Sequence, residues 1–556
     1  MRRFLIPVFC FVFSSSFSQW NSNTALNNAI SVNSTSEYQP ISISDGAGGS
    51  ITFFERLSTS DIYAQKITAV GTIAWGNAGL PVVICNATNE QYGIYAIADG
   101  LGGAFVSWYD FRHDVLYAEI YVQHINAAGN ALWTANGIRV TNTINIDDFA
   151  PFMCNDGAGG IIISWNWDNR VDNLQVSSQR YNSEGIALWN AVGVQASIAP
   201  GFRGGMDIIS DGANGAIISF TDTRNDPNGL NYDYVLNSVL VNTDMFSQRL
   251  SATGTRLWGD NALPVCVAAG NQENINVPSL VSDGTGGAII LYEDGRNDVP
   301  DPNGIPTNKD IFAQRINASG QPQWALNGIP LSIAAGNQFF YQVIADAANG
   351  FIAAWKDENT GKLVTQKLSS AGNISWAING IVVSPSGVPV KEAALTADGS
   401  GNYIYTYIPT AGNVVDVQKI NAAGAIQWGA AGVTVCNAPN VLPNTSRLVN
   451  SDNGSAIIVW DDSRNYIANG YDIYASKILS NGVLAGISFS GYSTIANGNW
   501  NNPATWQGGL VPPPSAPVLV RHQVLVTVNA ICYSAIVEQP GGKITVNGGI
   551  TFTVAH

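Results

Sequence analysis

The sequence predicts an all-β fold: a β-propeller of eight four-stranded blades closed by the N-terminal strand, followed by a short C-terminal all-β module. Three observations predict it. The first is a repeat with fixed offsets. A Gln followed by a basic residue recurs at Gln65, Gln123, Gln179, Gln248, Gln314, Gln366 and Gln418, with Ser476 standing in at the eighth unit. A Gly follows six residues after each (Gly71, Gly129, Gly185, Gly254, Gly320, Gly372, Gly424 and Gly482), and a Trp ten residues after each of the first seven (Trp75, Trp133, Trp189, Trp258, Trp324, Trp376 and Trp428). Fixed offsets over hundreds of residues mean an array of one supersecondary unit. The second is composition: 57 Gly and 15 Trp, 46% hydrophobic residues and only 12% charged ones, which reads as tight turns between buried strands rather than disorder. The third is a displaced strand. The eighth unit stops after Gly482 without a Trp, an Asn-Gly pair or a fourth strand, while Asn28-Ala29-Ile30-Ser31-Val32 resembles Asn327-Gly328-Ile329-Pro330-Leu331.

The fifth unit shows how one repeat becomes one blade. Residues 277–282 (VPSLVS) are a short apolar strand, and Asp283-Gly284-Thr285-Gly286-Gly287 is a tight turn in which Asp bonds the following backbone. Residues 288–293 (AIILYE) are apolar enough to be buried on both faces, and residues 310–316 (DIFAQRI) alternate as a third strand. After a turn at 318–320, Trp324 and Asn327-Gly328, residues 329–333 make the fourth, edge strand. Four short antiparallel strands per unit is a propeller blade. Past each turn Asp stands an aromatic: Phe54, Trp108, Trp165, Phe220, Tyr292, Trp355, Tyr407 and Trp460. Each lies mid-strand in an apolar run, so packing between blades is favoured over a sugar-stacking ring. Trp75 and its equivalents are expected to cap the outer turn of each blade. Residues 28–34 are expected to add the outer strand to blade eight, removing the sheet edges an open array would expose. The register at Trp20 is open, and a ring of seven blades with a decayed eighth copy is the alternative.

The units DGxGG…W-x-D-x-R…DIYAQ-[KR]…G…W resemble the degenerate propeller repeats of secreted surface proteins from Gram-negative gliding bacteria, and the W…DIY portion is similar to propeller repeats of the TolB type. The resemblance covers residues 28–484. It implies the fold, and says little of activity, because such propellers host many functions.

The ends are read separately. Arg2 and Arg3 precede the apolar run Phe4 to Phe13, and Ser16-Phe17-Ser18 offers small residues for cleavage before Gln19, so residues 1–18 are expected to be a secretory signal peptide. Residues 19–486 are then the propeller. No later stretch is long and apolar enough to span a bilayer, so a secreted protein is expected, extracellular or on the cell surface, with the periplasm as an alternative. From residue 487 the pattern changes to Trp500…Trp506, Gly508-Gly509, Pro512-Pro513-Pro514 and alternating strands over 517–528. Residues 487–556 are expected to be an incomplete β-rich module, β-helix-like or sandwich-like.

Charge and chemistry narrow the function. A formal net charge of -15 and a pI near 4.6 repel phosphates and exclude nucleic acid as a favoured partner. Outside the signal, Cys85, Cys266 and Cys436 share one repeat position in different blades and are expected to act as small buried residues rather than to pair. The four His show no metal-ligand spacing, and neither a Gly-x-Ser-x-Gly elbow nor a phosphate-binding loop is present. The pairs Asp110/Arg112, Asp222/Arg224, Asp294/Arg296 and Asp462/Arg464 recur at the end of the second strand, which suits a loop brace better than a glycosidase pair. No catalytic residue is assigned.

Units four and five carry insertions between their second and third strands, with Asp226 and Asn228 in one and Asp298, Asp301, Asn303 and Asp310 in the other. Oxygen-rich loops of this kind suit Ca²⁺ or a ligand contact, although the spacing is not that of an EF-hand. The expected function is a non-catalytic binding or adhesion module, monomeric, for extracellular polysaccharide or protein. A glycan hydrolase or lyase on a propeller scaffold is the first alternative and a structural spacer the second. The hydrolase would need acidic residues on the inner strands, which read as mostly apolar and hydroxylated.

Overall fold

The computed structural model describes residues 20–76, 80–141, 146–168, 174–226, 242–273, 279–299, 307–385, 388–486, 492–494, 496–506, 509–520, 522–537 and 543–554. The expected signal peptide lies outside these residues. By its contacts the chain divides into two compact units, one of Asn21–Ala69 and Ile73–Leu484 and one containing Ala485–His556.

The first unit is an eight-bladed propeller. Blade one is built of Glu37–Ser44, Ser50–Arg56, Asp61–Ile67 and Val82–Cys85; blade two of Gln91–Ala98, Ala104–Asp110, Glu119–Ile125 and Ile138–Arg139. Blade three is built of Asp147–Asn155, Ile161–Asp168, Leu174–Tyr181 and Val194–Gln195; blade four of Arg203–Ser210, Ala216–Asp222, Asp244–Leu250 and Leu263–Cys266. The pattern continues to blade eight, where Ser446–Asn450, Ala456–Asp462 and Asp472–Ile478 are joined by Asn28–Ser31. That last strand pairs antiparallel with the third, Asn28 against Ala475 and Ser31 against Ile473. The N-terminal strand therefore closes the ring, the eighth blade is a full blade, and the seven-blade alternative is excluded. First strands of consecutive blades touch all the way round, including blade eight against blade one.

The repeated residues are the nodes that build each blade and join it to the next. The turn Asp accepts two backbone N–H groups, as Asp156 Oδ1 does from Ala158 and Gly160 (both 2.8 Å). Its other oxygen meets the basic residue after the Gln: Arg180–Asp156 at 2.8 Å, Lys419–Asp398 at 2.8 Å, and His124–Asp99 at 3.1 Å. Arg180 Nη1 then donates to Ala252 O of the following blade (2.9 Å). The Gln is used at both ends. Gln179 Oε1 accepts from the Trp189 backbone (3.0 Å), and Nε2 donates to Asn190 O (2.6 Å).

The Trp reaches further than a cap on its own blade. Trp133 Nε1 donates to Ser183 O in the next blade (2.8 Å). Its ring lies against Gly185, where φ is +79° and an added Cβ would sit 2.9 Å from the indole. The Gly six residues past the Gln is therefore the seat for the preceding blade's Trp, in a conformation that disfavours any other residue. Large side chains between blades make the core; Trp108, Trp355 and Trp460 are fully buried there, as expected of the mid-strand aromatics.

The second unit is different in kind. Its strand pairings are parallel, with Tyr492–Ser493, Pro517–Val520 and Ser534–Val537 in one sheet. Gly498–Asn499, Gln523–Val526 and Lys543–Val546 form a second, and Ala530–Cys532 pairs with Phe552–Val554 in a third. One strand per turn in each of three sheets is the β-helix arrangement rather than the sandwich. Trp500 and Trp506 pack edge to face, centroids 4.8 Å apart, over the Val518, Val520, Val524 and Val526 interior.

Candidate functional site

The recurrent Asp-x-Arg pairs are fasteners. In blade two, Arg112 Nη2 meets Asp110 Oδ2 at 2.5 Å, reaches Cys85 Sγ of blade one at 3.3 Å, and donates to Asn136 O at 2.8 Å. Its guanidinium lies 3.8 Å from the centroid of the Tyr121 ring, a cation–π stack. Trp108 Nε1 also donates to Asp110 (2.8 Å). The same set recurs at Asp294/Arg296 with Cys266 and Phe312, and at Asp462/Arg464 with Cys436 and Tyr474. At Asp222/Arg224, Ser197 takes the Cys place (3.2 Å). Each brace joins four chain segments and consumes its carboxylate. The five cysteines among the described residues are free and buried, and burial pushes the Cys266 thiol up to about 11.

The insertion loops of blades four and five are described in part. Asn228, Asp301 and Asn303 lie outside the described residues. Asp226 is buried beside the Asp222/Arg224 brace, its backbone N–H bonded to Thr223 O (2.9 Å). Asp298 Oδ1 accepts from the backbones of Thr307 (2.9 Å) and Asn308 (3.0 Å) and so ties the base of its loop. Asp310 accepts from Asn297 Nδ2 (2.9 Å). That bond recurs at Asn225–Asp244 (2.7 Å) and at Asn465–Asp472 (3.0 Å). Blade eight holds it without the longer loop of blades four and five, so Asp310 belongs to the repeat rather than to the insertion. Burial raises its pKa, opposed by the Asn297 bond. Among the described residues no group of three or more His, Cys, Asp or Glu is arranged to hold a metal.

The first strands carry more acid than their apolar reading suggested. Glu37, Asp148, Asp207 and Glu392 sit on those of blades one, three, four and seven. Glu37 is engaged with Arg56 (2.5 Å), Glu392 with Arg447 (3.1 Å), and Asp207 as acceptor from Ser279 N (2.7 Å) and Leu280 N (2.8 Å) of blade five. Burial lifts Asp207 to about 6 despite those bonds.

The Asp-x-Arg pair is present in blades two, four, five and eight; blade three is one of the blades without it, and a cavity of about 610 Å³ opens there. In blade three the Asp slot, two residues past the mid-strand aromatic, is Trp167, and the Arg slot after it is Asn169. The stacking aromatic is replaced by Ser177, which pairs with Trp165 as Tyr121 pairs with Trp108. The four groups that Arg112 touches in blade two are Cys85, Asp110, Tyr121 and Asn136. Their counterparts Thr141, Trp167, Ser177 and Val192 all line the cavity. Trp167 is partly exposed, with its Nε1 fixed on Ser177 Oγ (2.9 Å). Asp148, Asn190, Gln195 and Arg256 add polar groups to the wall, and Arg256 is held by its Nε donating to Gln195 O (2.8 Å). The signal available in the sequence was a Trp in the Asp slot together with the loss of the stacking aromatic; loss of the Asp and the aromatic alone also occurs in blade seven, at Pro409 and Asp416.

No protein family matches the chain, and no curated protein matches it. Among solved structures it is similar to prolyl oligopeptidase B from Galerina marginata, at 11% identity over 86% of this chain and 59% of that one, with a TM-score of 0.40. Puromycin hydrolase matches at 11% identity over 80% of this chain and 61% of that one, TM-score 0.40. A eukaryotic initiation factor matches at 9% identity over 83% and 89%, TM-score 0.40. The chain thus spans less than two thirds of the length of either enzyme.

Proposed function

We propose that the chain is a secreted, non-catalytic propeller that serves as a binding or adhesion module for extracellular polysaccharide or protein. The observation that carries this reading is the blade-three cavity: a pocket of ligand size, lined by indole and polar groups, where the groups that hold Arg112 in blade two are replaced by Thr141, Trp167, Ser177 and Val192. The fastened carboxylates support it, because Asp110, Asp222, Asp294 and Asp462 each hold an Arg inside the ring. The repeat's likeness to those of secreted surface proteins supports export.

The hydrolase alternative has one observation in its favour, the acids on the first strands, and their engagement with Arg56, Arg447 and backbone N–H groups weighs against it. The test is binding of the purified full chain to polysaccharides and surface proteins, with product analysis on the same samples. Binding without products is the expected result; new reducing ends would overturn the reading. Ca²⁺ at the Asp226 and Asp298 loops is a separate proposal, resting on their oxygen-rich sequence. Heat in a calorimetric titration with Ca²⁺ is its expected sign, and none would remove it.

A further inference from the structure

We infer that the blade-three cavity binds sugar rings of an uncharged polysaccharide, with Trp167 as the stacking platform. The inference rests on the binding-module reading and names the ligand class for that site. Blades two, four, five and eight fill the corresponding volume with an Arg stacked on an aromatic. Blade three removes both partners and leaves an indole in the Asp slot, so the volume is vacated by sequence changes at three repeat positions together.

What remains on the wall selects the ligand. An indole offers an apolar face to the C–H side of a sugar ring and does so at low entropic cost. Vicinal hydroxyls each donate and accept, and need both kinds of partner around them. Asp148 supplies acceptors, Arg256 supplies donors, and Asn190 and Gln195 supply both. One acid and one base on the same wall favour neither a cationic nor an anionic ligand. The net charge of -15 further opposes uronate-rich or sulfated chains. The cavity, about 610 Å³, falls within the common range of roughly 300–1,000 Å³ for ligand sites.

The experiment compares the full chain with two variants on cellulose, chitin, xylan and soluble β-glucan. Trp167→Ala removes the platform. Ser177→Tyr restores the ring that blade two carries at that position and fills the cavity from within. Both are checked for an unchanged thermal midpoint, and Ser177→Tyr covers the case in which loss of Trp167 disturbs the blade. The expected result is binding of at least one uncharged glycan by the parent chain, weakened about thirtyfold or more in both variants, the scale of a central aromatic anchor. Glycan binding that neither folded variant alters would overturn the inference and leave the binding-module reading standing. Binding only to a protein, or only to acidic glycans, would overturn the ligand class alone. Release of products would overturn the reading beneath it.

Discussion

Blades two and three are neighbours built to one plan, and they spend the same volume in opposite ways. Blade two closes it with Arg112, held by Asp110, Cys85, Tyr121 and the Asn136 carbonyl. Blade three keeps the strands, the turn Asp156, Gln179 and Trp189, and loses only the brace. The frame of the repeat is therefore separable from its filling. The Asp turn, Gln and Trp set the blade's shape and its seat on the next blade, while the Asp-x-Arg position is free to become either a lock or a cavity. That separation predicts unequal responses to similar mutations.

The largest expected effect is at the mid-strand aromatics. Trp108 is fully buried between blades one and two, so Trp108→Ala should cost about 4 kcal/mol, the usual scale for a large aromatic removed from a core. Trp165 forms a wall of the cavity, and Trp165→Ala should cost less because part of its surface has no packing to lose. Equal losses in denaturant unfolding would break the comparison.

Next comes the lock itself. Arg112→Ala leaves the fully buried Asp110 carboxylate without its cation, which should destabilise by about 3 kcal/mol. Double substitution of Asp110 and Arg112 by apolar residues should recover part of that loss. A smaller loss for Arg112→Ala than for the double variant would mean that the brace is not the stabilising element.

How much of this was legible in the sequence follows from what each residue does. The Gln, Gly and Trp recur because in seven blades the Gln side chain accepts from the Trp backbone and the Trp ring lies against the next blade's Gly, so one chain carries many copies of the same evidence. Closure was legible for a similar reason, since a missing fourth strand at one end matched a spare one at the other. The braces were half legible: Asp110 and Arg112 are two residues apart, but Cys85 and Asn136 join them only through folding. The Trp seat was misread as a cap because its partner, Gly185 for Trp133, lies in the next blade. The cavity was invisible as such, because an absence has no motif. The loop acids were read by type alone. Asp310 turned out to be a strand-end fastener shared with Asp472, which only the Asn297 and Asn465 contacts reveal.

A third contrast concerns how blades hold the backbone of their neighbour's first strand. Glu55 Oε1 accepts from Gly93 N (2.8 Å), while Tyr109 OH does the same for Ala150 N (2.8 Å). The job is one, and burial raises the Glu55 carboxyl from 4.5 to about 7. A raised carboxyl binds more protons folded than unfolded, so its stability contribution is full below about 4.5 and is lost as pH rises through about 7. Glu55→Gln keeps the acceptor and removes the titration. Relative to the parent it should gain roughly 2 to 3 kcal/mol between pH 4 and pH 8. A pH-independent difference between the two proteins would show that Glu55 does not titrate in this window.

The smallest effect is expected where the brace already tolerates variation within the same ring. Cys266 Sγ accepts from Arg296 Nη2 at 3.3 Å, and the equivalent group for Arg224 is Ser197 Oγ at 3.2 Å. Both residues are fully buried, so blade four already shows a hydroxyl working in the thiol's place under the same guanidinium. Cys266→Ser should then cost about 1 kcal/mol or less, the loss of a slightly larger and softer group offset by a stronger acceptor. The expectation is sharp because the thiol's pKa is raised by burial rather than lowered, which leaves no reactive thiolate for the substitution to remove. A loss comparable to that of Arg112→Ala would mean that sulfur packing, and not the Arg bond, sets the fit between neighbouring blades.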